Sequence, residues 1–208
     1  MKSIAIFCLL IFACTAINMA EDTAFQAHGI GLVLGYFEPS NARESYEAVY
    51  DSPGLRFGII YDYAIVRSVA LDVRVNYFTK SGNRVFVGSD GSVTETDINE
   101  DLTIANVTAG AKYVFFSDKN VCPYLGGGIG FWRLETSSEV DDYSKTGFGG
   151  LAFAGVRLFA QKAFSLNVEV SYSIVPDMIG SEPSSTSFFY GEDDIGGLAA
   201  NCLLQYRF

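Results

Sequence analysis

The chain has 208 residues, with 24 Asp and Glu against 14 Lys and Arg for a formal net charge of −10, and 49% of its residues are hydrophobic. A charged fraction of only 18%, with 21 glycines against 5 prolines, excludes a disordered chain and leaves enough apolar material for one domain with a large buried or lipid-facing surface. No long basic tract is present, so nucleic-acid binding driven by phosphate neutralisation is excluded too.

At the amino terminus, Met1 and Lys2 precede the apolar run Ile4 to Ala16, which is too short for a comfortable helical membrane span and reads as a secretory signal peptide over residues 1–20. Asn18-Met19-Ala20 suits cleavage after Ala20; Cys14-Thr15-Ala16 is an alternative site, and lipidation of Cys14 after Ile11-Phe12-Ala13 a second export route that Phe12 fits poorly. Removal of Cys8 and Cys14 leaves Cys122 and Cys202, so no disulfide scaffold is indicated for the mature domain, 21–208.

From Phe25 onward no segment shows sustained helical periodicity, and apolar and polar residues alternate with period two. The pattern predicts eight strands, at 25–37, 54–64, 69–79, 102–115, 121–133, 147–159, 164–175 and 195–208, each long enough to cross a bilayer at a tilt. Connections 65–68, 116–120 and 160–163 are short, and 38–53, 80–101, 134–146 and 176–194 are long. An even number of antiparallel strands with tight turns at one end and long loops at the other describes an all-β, eight-stranded transmembrane barrel of up-and-down meander topology, with periplasmic turns and extracellular loops.

Residues such as Leu32, Ile59, Leu71, Val73, Val107, Ile129, Val168 and Val170 share the proposed outer face, free of ionisable groups at mid-depth. That matters because a charge there costs about 2–4 kcal/mol. Tyr36-Phe37, Tyr77-Phe78, Phe131-Trp132 and Tyr206 with Phe208 are expected to form the interfacial girdles. The opposite faces carry Arg56, Asp62, Asp72, Arg74, Lys112, Arg157, Glu169 and Arg207, with Asn76, Asn106, Asn167, Asn201 and Gln205. In so narrow a barrel these are expected to form a packed, ion-paired polar lumen, plugged further by Ile60, Leu151, Phe153 and Leu203, with Gly126, Gly128, Gly130 and Gly155 making room. A soluble lipocalin-type barrel shows the same alternation turned inside out; the signal sequence, one-sided long loops, aromatic strand ends and terminal Phe208 favour the membrane form.

The segments Pro123-Tyr124-Leu125-Gly126-Gly127-Gly128-Ile129-Gly130-Phe131, Gly155-Val156-Arg157-Leu158-Phe159 and Leu203-Leu204-Gln205-Tyr206-Arg207-Phe208 resemble the small outer-membrane β-barrel family. It includes the OmpA transmembrane domain and OmpX/Ail-type adhesins. The resemblance spans the mature chain and implies export to the outer membrane of a Gram-negative-type bacterium. It further implies periplasmic chaperones and insertion by the barrel-assembly machinery, with Leu204, Tyr206 and Phe208 as the assembly signal. Nothing here resembles the peptidoglycan-binding domain of full-length OmpA-like proteins, so wall anchoring is not carried over.

Catalytic, metal and cofactor motifs are not found. His28 is the one histidine, expected at the periplasmic end of the first strand and without an arguable partner among Ser165, Ser171 and Ser173. Gly126 to Phe131 puts Phe131 where a dinucleotide fingerprint needs its third glycine, and Asp97 to Thr108 lacks the glycine and closing glutamate of a calcium loop. Acidic residues collect in the long segments: Glu38, Glu44, Glu47 and Asp51; Asp90, Glu95, Asp97, Glu100 and Asp101; Glu135, Glu139, Asp141 and Asp142; Asp177, Glu182, Glu192, Asp193 and Asp194. They predict a solvated anionic rim, or docking of a basic partner or surface ligand, whereas the turn residues Arg67, Lys119 and Lys162 would face inner-leaflet headgroups. The expectation is a non-enzymatic, monomeric protein whose partner besides that machinery is outer-membrane lipid.

Overall fold

A computed structural model describes residues 27–87, 93–140, 142–160, 162–181 and 185–208. The expected signal segment, with Cys14, and the acidic residues Asp90, Asp141 and Glu182 lie outside them. The strands are β1 His28–Glu38, β2 Gly54–Val66, β3 Val69–Val87, β4 Val93–Val114, β5 Val121–Ser138, β6 Asp142–Leu158, β7 Phe164–Ile174 and β8 Leu198–Arg207. Each pairs antiparallel with its sequence neighbour, and β1 pairs with β8 to close the barrel. The closing register runs from Gly29 opposite Arg207 to Glu38 opposite Leu198, so every strand edge is satisfied, as a bilayer demands.

Side chains alternate between the two surfaces along every strand. Leu32 is 64% exposed and Val75 51%, while their inward neighbours Val33 and Asn76 are buried. The aromatic doublets obey the same alternation, which corrects the expected girdle. Tyr36, Tyr77 and Phe131 face outward, but Phe37, Phe78 and Trp132 point into the barrel and are buried.

The long connections also differ from expectation. β3 and β4 pair on through Lys80 with Leu102 to Asn83 with Asn99 and, past a bulge, Val85 with Glu95 to Val87 with Val93. β5 and β6 likewise pair to Ser137 with Asp142. Two of the four expected loops are therefore mostly hairpin. At about 3.3 Å per residue, the eight residues of β3 beyond Thr79 carry the wall roughly 25 Å past the lipid-crossing part. The first long connection contains a 3-10 turn, Ser40–Ala42, and the helix α1, Arg43–Tyr50; the last contains the short helix α2, Thr186–Tyr190. The absence of helical periodicity read from the sequence thus fails at α1, whose buried residues are Ser45, Tyr46 and Tyr50, the two tyrosines four residues apart.

At the opposite end, two of the tight turns are built alike. Phe116 and Phe159 adopt positive φ, at 51° and 58°, and their carbonyls accept from the amides of Lys119 and Lys162, each at 2.9 Å.

Candidate functional site: the filled lumen and its mouth

The lumen is held by charges that come from strands on opposite walls. Arg74 on β3 donates from Nη1 and Nη2 to both oxygens of Glu169 on β7, at 2.6 and 3.1 Å. It also donates from Nε and Nη2 to both oxygens of Asp72, at 2.6 and 3.1 Å. Its guanidinium carbon sits 3.7 Å from the Phe153 ring centroid. Below this unit, Asp62 accepts from Lys112 Nζ at 2.5 Å and Gln205 Nε2 at 2.5 Å, with Arg157 Nη2 at 3.5 Å. Lys112 lies 3.6 Å from Asp72 and joins the two groups. Tyr124 donates its hydroxyl to Glu169 at 3.0 Å. All of these residues are buried, and the multiplicity of bonds is what offsets the desolvation of so many ions.

Glycines give these long side chains their space. A Cβ on Gly155 would stand 2.6 Å from the Tyr124 hydroxyl, and one on Gly126 2.5 Å from the Phe153 ring. Ile60 and Leu203 pack with Val33 as a separate apolar patch. Two of the predicted lumen residues stand apart from the network. Arg207 lies at the turn end and reaches the Ala160 carbonyl at 3.4 Å. Arg56 is buried above Arg74, beyond those ion pairs, with its Cζ 5.8 Å from the Phe37 ring.

The mouth is closed by an apolar layer the sequence reading missed. Phe37 meets Phe78 edge to face at 5.2 Å, and Trp132, Leu134, Leu102 and Ile104 continue the cluster. From the last connection, Val175, Met178 and Ile195 fold down onto it and are buried. Asp194 holds that fold, accepting from Val175 N at 2.8 Å and Gly196 N at 2.6 Å. Glu192 reaches across to α1 and accepts from the amides of Glu44 and Ser45, at 2.8 and 3.0 Å. The helix has no side-chain cap of its own, so a carboxylate 147 residues away satisfies its first amides and complements its dipole. At the other end of α1, Tyr50 donates to Glu100 at 3.3 Å, and Arg84 donates to the same carboxylate at 2.9 Å. Several acidic residues expected on a free rim are therefore structural fasteners.

His28 lies where β1 begins. Its ring stacks on Phe208 at 5.6 Å, and Nδ1 is 2.7 Å from the Tyr61 hydroxyl. Leu204, Tyr206 and Phe208 lie on the outer face of the closing strand, Tyr206 and Phe208 exposed and Leu204 half-buried. Cys122 is buried and Cys202 half-buried, and the two form no disulfide with each other.

Among the solved structures to which the barrel is similar are three whose identities bear on the fold alone. Neisserial surface protein A is 15% identical, with a TM-score of 0.57 over 88% of this chain and 97% of that one. OprG of Pseudomonas aeruginosa is 12% identical, with 0.55 over 89% and 98%. The N-terminal β-barrel domain of OprF from Pseudomonas aeruginosa is 11% identical, with 0.51 over 88% and 98%. A comparison with curated protein sequences finds no match. The profile of the family described as outer membrane protein beta-barrel domain matches residues 5–208. With eight meander strands closed into a ring, an apolar outer face and an ionic interior, the chain belongs to that outer-membrane β-barrel family.

Proposed function

We propose that this protein is a non-enzymatic outer-membrane barrel with a closed lumen, whose work is done by the structure it displays outside the cell: stabilising the envelope or binding a surface ligand or host component. The observation that carries this reading is the stacking of two different seals, an ionic one around Arg74, Glu169 and Asp62 and an aromatic one around Phe37, Phe78 and Trp132. A diffusing solute would have to break both. Outside the seals stand two long hairpins and a helical clasp, carrying acidic residues such as Asp97, Asp101, Glu139 and Asp142. These offer a basic partner a rigid surface.

The same reading makes residues 1–20 an export signal. Leu204, Tyr206 and Phe208 serve the barrel-assembly machinery after chaperoned passage through the periplasm, and the mature barrel is a monomer.

The test is reconstitution of purified protein into planar bilayers alongside exchange of residues 80–101 or 176–194. No stepwise conductance is expected, and barrels with exchanged loops should keep their heat-dependent gel shift while losing or changing binding. Stable conductance steps from the wild type would replace this reading with a pore.

A further inference from the structure

The interior charges do not balance. Arg56, Arg74, Lys112 and Arg157 are buried against Asp62, Asp72 and Glu169, and all three carboxylates are taken up by Arg74, Lys112 and Arg157. Arg56 is left over: it is 6% exposed, and its Nε is buried with no hydrogen-bond partner. A buried cation without a counter-charge is unfavourable unless something supplies one. The Phe37 ring at 5.8 Å is at the outer limit of a cation–π contact and brings no full charge.

Beside Arg56 lies a cavity of about 10 Å³, whose lining includes Asn76, Asn106, Trp132 and Ser173. Asn76 donates its amide to Asn106 Oδ1 at 2.9 Å, so the Asn106 amide nitrogen remains as a donor. The guanidinium adds further donors, and no carboxylate lines the space. We propose that this cavity is a binding site for one monatomic anion, chloride or bromide, acting as the counter-ion of Arg56. The volume holds a single water-sized particle, which a halide matches after small movements of flexible side chains. A sulfate or a carboxylate group does not fit. The site is independent of what the exterior of the barrel binds.

Trp132 is the one tryptophan of the chain and lines the cavity, so bromide bound there quenches its fluorescence directly. The experiment titrates bromide into folded barrel in chloride-free detergent, with sulfate holding the ionic strength constant. Saturable quenching that chloride reverses is expected in the wild type, with loss of the saturable component in Arg56→Gln and its retention at weaker affinity in Arg56→Lys. If Arg56→Gln does not yield folded barrel, Asn106→Leu, which fills the cavity, is expected to lose the same component. Quenching that rises linearly with bromide and ignores chloride would overturn the proposal. So would a saturable component that survives both Arg56→Gln and Asn106→Leu.

Discussion

At the scale of single residues, the lumen divides into side chains that are mutually satisfied and a few that are not. Arg74 is the hub, holding Glu169 and Asp72 at once. Truncation in Arg74→Ala strands two buried carboxylates, so a loss of about 3–5 kcal/mol is expected; urea unfolding in detergent checks it, and Glu169→Gln, which keeps an acceptor, should cost less. Gly155→Ala tests packing, not charge: its Cβ would lie 2.5 Å from the Val168 carbonyl and 2.6 Å from the Tyr124 hydroxyl. The expected cost is about 1–3 kcal/mol, and an unchanged unfolding midpoint would show that the wall yields easily there. The chemical types in the lumen were legible in the sequence, because period two assigns every residue a side. The pairing was not. Arg74 and Glu169 are 95 residues apart on strands that are not neighbours, and which inward charges meet depends on strand stagger and barrel closure. For the same reason nothing in the sequence separated Arg56 from its paired counterparts.

At the scale of elements, legibility ended where the lipid ends. Inside the bilayer the two faces of a strand meet different solvents and the pattern alternates. Beyond it the residues of both faces of 80–84 and 96–101 are exposed or only half-buried, so their polar composition looked like loop although the ladder continues. Helix α1 escaped notice because its eight residues bury only a short stripe, and its cap comes from Glu192 on the far connection. Glu192→Ala is expected to loosen the clasp by about 1 kcal/mol, seen as faster proteolysis within residues 39–53 with the barrel intact. The carboxyl end of α1 responds to pH. Burial, reinforced by the Glu100 carboxylate, pushes the Tyr50 phenol well above its ordinary 10.0. Because the folded value is the raised one, Tyr50 stabilises docking in full below about pH 10 and loses that contribution as the pH climbs further. Protease sensitivity of the clasp should therefore rise above pH 10, and Tyr50→Phe should weaken that alkaline dependence while giving up the Glu100 hydrogen bond, leaving the part owed to Tyr46, whose phenol is also raised by burial.

At the scale of the whole molecule, the barrel is a protein turned inside out: its salt is at the axis and its hydrocarbon at the surface. Val73, Val75, Val168 and Val170 are 42–53% exposed, while Arg74 and Glu169 between them are 3% and 1% exposed. A soluble barrel with this arrangement would present a continuous apolar belt to water, far larger than soluble monomers tolerate. The arrangement is stable because lipid covers the belt, and this makes the cost of an outward charge depend on depth. Val73 lies midway along the lipid-crossing part of β3, opposite Tyr61 and Ala109; Val66 is similarly exposed at the turn end of β2. Val73→Arg should cost about 2–4 kcal/mol and Val66→Arg about 0–1 kcal/mol, measured by urea unfolding from phospholipid vesicles. The two substitutions add the same group to outward positions of the same residue type, so strand propensity and side-chain entropy largely cancel between them. The remaining difference is the depth of the bilayer crossing. Equal costs would mean that Val73 does not sit near the centre of the hydrocarbon, and would move the membrane boundaries along the barrel toward the two projecting hairpins.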